Sequence, residues 1–132
     1  MAITLTYNAN ALTLPDDLSW ADEFAWAPVV QNKTYTTTGA LLIEEATRQA
    51  GRPITLEGDR DRAWCTRELV TTLYAWASIA NITMALTLRG VTRSVTFDHE
   101  KGALQGFPVL FYADGWVEAS DLYVPTLRLI EL

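Results

Sequence analysis

Cysteine and histidine are nearly absent: the chain of 132 residues holds one of each, Cys65 and His99. A lone thiol excludes an internal disulfide, and with one imidazole it cannot build a zinc site. Such usage suits folding in a reducing cytosol. Basic charge is scarce too, with 10 Lys and Arg against 16 Asp and Glu, a net charge of −6. Phosphate-binding surfaces are normally basic, so tight nucleic-acid binding is not expected. No apolar run approaches a membrane span. The N-terminal Met-Ala-Ile-Thr-Leu-Thr-Tyr lacks the basic start and apolar core of a signal peptide. The seven glycines are scattered and form no phosphate-cradling loop.

What is present describes one folded unit. Apolar residues make up 49% and charged residues 20%, a balance that rules out a disordered chain. The length fits a single domain over residues 1–132 with a core of its own. Five tryptophans are many for this length. Tryptophan serves cores and interfaces alike.

The periodicity is mostly that of strands. Ile3, Leu5 and Tyr7 alternate with threonines, and Leu12 and Leu14 resume the alternation after Asn8-Ala9-Asn10, so residues 2–14 read as a hairpin. Residues 29–38 are rich in β-branched side chains and tyrosine and read as a strand, followed after Gly39 by a second at 40–45. Ile54 to Leu56 is a short strand behind the Gly51-Arg52-Pro53 turn. One helix is expected at about residues 64–80, with Cys65, Leu69, Leu73, Trp76 and Ala80 on one face, Asp59 and Asp61 near its positive end, and Asn81 in the left-handed exit position. Next comes a hairpin with Arg89-Gly90 as its two-residue turn. Its register places Leu88 opposite Val91, Leu86 opposite Arg93, Met84 opposite Val95 and Ile82 opposite Phe97. Residues 104–112 and 123–132 complete the strands, with Pro108 marking an edge or a bulge. The expected fold is mainly β: an antiparallel β-barrel or sandwich with one packed α-helix.

Candidate chemistry is thin. His99 lies in a polar turn, and Cys65 falls on the expected apolar helix face, so a Cys–His pair is not favoured. The carboxylate pairs Asp16/Asp17, Glu44/Glu45 and Asp59/Asp61 lack a hydrolase framework. Asp59-Arg60-Asp61-Arg62 lacks the glycine and distal glutamate of a calcium loop and reads as an exposed helix start. No catalytic residue, cofactor or metal site is expected. Two features remain. Residues 18–26 mix aromatic and acidic side chains without a helical or strand period. Trp20, Phe24 and Trp26 are therefore candidate interface anchors, the alternative being aromatics that cap the fold. Arg52 is a further candidate, able to pair across a subunit boundary.

The order of elements carries a resemblance. An N-terminal hairpin, a strand block with Gly51-Arg-Pro-Ile-Thr-Leu56, one helix near Trp64, a hairpin and a closing strand resemble small tail proteins of long-tailed bacteriophages. The likeness is to the ring-forming distal tail (baseplate) proteins and the tail-tube proteins. It implies a β-barrel or sandwich assembled with other copies of itself, often as a hexameric ring, around a channel that DNA traverses without tight binding. It also implies neighbouring tail proteins as partners, a place in the virion tail and synthesis in the host cytoplasm. Channels of this kind tend to be acidic, in accord with the net charge. Many distal tail proteins carry a second domain that 132 residues do not accommodate. The alternative is a small monomeric ligand-binding β-barrel whose Trp and Tyr side chains line a pocket. A small hydrolase with paired carboxylates comes third.

Overall fold

A computed structural model describes residues 2–110 and 113–132. Alternating apolar residues set most of the strands. β1 (Ile3–Tyr7) and β2 (Asn10–Leu14) form the N-terminal hairpin. Its turn residues Asn8 and Ala9 both have positive φ, 50° and 66°. That geometry matches the right-handed twist of the paired strands. β3 (Ser19–Trp20) is two residues long. β4 (Val29–Tyr35) and β5 (Leu41–Thr47) pair only with each other. β6 (Pro53–Glu57) buries Ile54 and Leu56 at period two. β7 (Cys65–Thr66) leads directly into α1 (Arg67–Ala77).

The helix is shorter than the sequence pattern predicts. Cys65 and Thr66 pair with Tyr123 and Leu122, so sheet hydrogen bonding claims them before the helix begins. Thr66 then caps α1 by accepting from the Leu69 amide, and Glu68 is the acid of the first turn. Asp59 and Asp61 are not at the helix start. They sit in a tight turn closed by mutual backbone hydrogen bonds of Asp59 and Arg62, 3.2 Å each. Of the expected face, Leu73 and Trp76 are buried in the core and Leu69 is partly buried. Cys65 is buried from its strand, and Ala80 is exposed beyond the helix end. Asn81 does take the left-handed conformation, with φ of 59°.

β8 (Met84–Leu88) and β9 (Val91–Phe97) pair in the expected register, Leu88 with Val91, Leu86 with Arg93 and Met84 with Val95. Arg89 and Gly90 both have positive φ. The ladder ends at Met84, so Ile82 is buried without pairing with Phe97, and Val91 is exposed near the turn. β10 (Leu104–Pro108) ends at the proline, earlier than expected, and residues 111 and 112 of that expectation lie outside the described residues. β11 (Leu122–Glu131) is the hub. It pairs antiparallel with β10 and β7 over its first part and with β6 and β9 further on.

The main sheet has the order β2-β1-β8-β9-β11-β6-β3, with β10 and β7 joined to β11. It does not close into a barrel; a sandwich with one helix packed on it is the architecture that fits. The core gathers Leu5, Ile54, Leu56, Leu73, Leu86 and Leu127, all essentially inaccessible to solvent. Among the described residues no helix is long and apolar enough to cross a membrane.

Candidate assembly interface

The hairpin of β4 and β5 stands apart from this core. Seven residue pairs run from Val29 opposite Thr47 to Tyr35 opposite Leu41. At ~3.3 Å per residue, each strand extends about 23 Å. The tip, Thr36–Ala40, is closed by the Thr36 amide on the Ala40 carbonyl at 2.8 Å and by the Gly39 amide on Thr36. Gly39 takes a φ of 85° there. Every residue of both strands is exposed, and neither strand pairs with the main sheet. The arm nevertheless carries large apolar side chains. Tyr35, Leu41 and Ile43 fall on one face, and Val30 and Leu42 on the other. A two-stranded ribbon with no core behind it is at best marginally stable in water. Among the described residues no other strand pairs with the arm, and these apolar side chains stay 46% to 77% exposed.

The root of the arm is tied down well. Entering the arm, Asp22 holds Thr55 of β6 through both carboxylate oxygens, at 2.9 Å from the amide and 2.8 Å from the hydroxyl. Leaving it, the Arg48 amide donates to the Pro28 carbonyl at 2.7 Å. The Arg48 guanidinium lies 5.5 Å from the Trp26 ring centroid. Arg52 donates to the Glu23 carbonyl at 2.6 Å, and Gly51 donates to Glu131. The arm therefore springs from a fixed base.

The expected anchors fall in different settings. Trp20 is a core residue, 8% exposed, packed among Leu18 and Leu56 in the same apolar cluster. A side chain so placed is not on offer to a partner in the folded chain. Trp26 is half-buried under Arg48. Phe24 is 92% exposed and is the one of the three aromatics free to touch another molecule. Arg52 is engaged within the chain, with Glu23 and over the Trp20 ring at 4.7 Å. The structure thus stacks Arg52 on Trp20 and, separately, Arg48 on Trp26. The arm itself is the feature missed. Its strands were legible, but apolar alternation says only that a face wants cover, not whether the chain supplies it.

Other chemistry-bearing residues stay dispersed. Cys65 is buried, and burial pushes its thiol pKa up from 9.0 to about 11. His99 is exposed in a short 3₁₀ turn, its ring 6.1 Å from that of Phe97. Among the described residues no three His, Cys, Asp or Glu side chains gather as a metal site would require. A groove of about 460 Å³ runs between β2 and α1, lined by Leu12, Leu14, Pro15, Trp64 and Leu69 among others, and it is open to solvent. No protein-family model matches the chain, and no curated protein is significantly similar to it.

Proposed function

We propose that this chain is a structural assembly protein, and specifically a ring-forming component of a long-tailed bacteriophage tail, at the distal end or joining the tube. The observation that carries the assembly reading is the arm: a rooted β-ribbon, exposed along both strands, with apolar side chains on both faces. Covering those side chains against other copies of the chain or neighbouring tail proteins supplies the burial that the ribbon lacks alone. The tail reading rests on the order of elements, a hairpin, a strand block, one helix, a hairpin and a closing strand, which the fold retains. In this reading the copies form a ring, six in number by resemblance, around a channel. A net charge of −6 suits a conduit that DNA passes without adhering. The protein then resides in the virion tail and is made in the host cytoplasm.

Electron microscopy of the purified chain, alone and co-expressed with the products of the genes that flank its own, tests this directly. Rings with a central opening, or incorporation into tails, are expected. A chain that remains a dispersed monomer under both conditions contradicts the proposal.

A further inference from the structure

A ring of more than two copies closes through a heterologous contact, in which one surface of each copy meets a different surface of the next. The arm is one such surface, and the fold holds a second at the other end of the strand order. The arm leaves the chain between β3 and β6, at one end of the main sheet, while β2 is the terminal strand at the other. β2 pairs with β1 alone, and among the described residues no strand lies along its outer edge. In a two-residue hairpin the closing pair, here Tyr7 and Asn10, exchanges both hydrogen bonds, and the bonding alternates from there. Leu12 and Leu14 thus turn their backbone groups to β1, and the N–H and C=O of Ala11 and Thr13 point outward. Both of these residues are exposed. Natural edges are usually blunted by a charged side chain or a proline, and residues 10–14 carry neither.

The groove of about 460 Å³ runs beside this edge. Its apolar wall includes Leu12, Leu14, Trp64 and Leu69, and Glu68 adds a carboxylate on the helix side. A recess that shares Pro15 and Trp64 with it holds Asp16, Asp17 and Asp61 against Arg62, so the rim is acidic. The arm complements the groove in both respects. Tyr35, Leu41 and Ile43 share one face with Lys33, which stands opposite Ile43 and is the one basic residue between positions 29 and 47. Glu45, nearer the root on that face, is already held by Gln31.

We propose that the tip half of one copy's arm lies along the β2 edge of the next copy, with Leu41 and Ile43 in the groove between β2 and α1 and Lys33 toward its acidic rim. This rests on the assembly reading and names the surface that receives the arm. The direction of the added strand follows from the bonding pattern. The Thr36 amide bonds across to the Ala40 carbonyl, and alternation from there leaves the backbone groups of Leu41 and Ile43 pointing out of the ribbon. Only a strand parallel to β2 bonds these groups to Thr13 while placing both side chains beside Leu12 and Leu14; an antiparallel strand would put Leu42 there instead. Thr13 then neighbours Leu42 on the outer face, away from the groove.

That last pair gives the test. Two chains, both carrying Cys65→Ser, one with Leu42→Cys and the other with Thr13→Cys, are mixed and treated with a short bis-maleimide. A cross-linked dimer is expected from the mixture, and far less when Glu100→Cys, on the exposed turn after β9, replaces Thr13→Cys. Sedimentation velocity supplies the second readout. Thr72→Arg obstructs the groove from the helix, where Thr72 bonds only back to the Glu68 carbonyl. It should raise the concentration needed for assembly by about tenfold or more, as loss of a packed interface anchor does. Lys33→Glu, on the exposed arm, provides the same readout if Thr72→Arg does not fold. Assembly that persists without the cross-link, or that neither variant weakens, overturns this inference and leaves the assembly reading standing. A full-length chain that stays monomeric alone also overturns it, whereas the assembly reading falls only if rings and incorporation into tails fail as well.

Discussion

Asp22 engages Thr55 twice, taking the backbone amide on one carboxylate oxygen and the side-chain hydroxyl on the other. Since the Ala21 amide also donates to the Thr55 carbonyl at 2.9 Å, the loop before the arm is held to β6 at three points. Asp22→Ala leaves a part-buried amide and hydroxyl without their acceptor. That substitution should cost about 1–3 kcal/mol, the range for an abandoned polar partner. Thermal or urea unfolding measures it, and hydrogen exchange should show faster opening of β4 and β5 than of β8 and β9.

Leu73 is fully buried where α1 meets the sheet. Leu73→Ala should lower stability by ~2–5 kcal/mol, through lost burial and the cavity left behind. Denaturant titration provides the number. A change below about 1 kcal/mol would mean that the helix is not docked as described.

Ala9 holds a φ of 66° in the first hairpin turn, a region costing a side-chain-bearing L-residue about 1–2 kcal/mol. Ala9→Gly produces Asn-Gly, the sequence best suited to this turn. A gain of roughly 1 kcal/mol is expected, read as a raised denaturation midpoint with unchanged slope.

Cys65 has its thiol pKa raised from 9.0 to about 11 by burial. The folded state therefore favours the neutral thiol. Its contribution to stability is complete below pH 9 and is lost as pH rises through about 11. Two results should follow. A thiol reagent at pH 8 should label Cys65 only as fast as the protein opens, and Cys65→Ser should reduce the fall in stability between pH 9 and pH 11.

The sequence revealed the parts whose partners are close in the chain. The hairpin at Arg89-Gly90 could be registered because one pairing alone gathers Met84, Leu86, Leu88 and Val95 on a face, and a one-residue slip would turn a strand inside out. The helix start could not be read, because Cys65 and Thr66 are claimed by β11, more than fifty residues away. The setting of Trp20 was hidden for a similar reason. Leu18 and Trp20 bury at period two, but the strand is so short that the turns after it erase the pattern. Most hidden of all was the exposure of β4 and β5, since Val29 to Tyr35 and Leu41 to Thr47 have the composition of ordinary interior strands.

The arm is the element on which the assembly reading stands, and it can be removed cleanly. Val29 and Thr47 face each other across its base, so replacing residues 30–46 with Asn-Gly closes the strands by a two-residue turn without disturbing the root. Sedimentation velocity over a range of concentrations then compares the shortened and full-length chains. The shortened chain should keep its circular dichroism and melting transition but stay monomeric where the full-length chain forms a discrete larger species. A shortened chain that assembles into the same species as the full-length one would contradict the assembly reading.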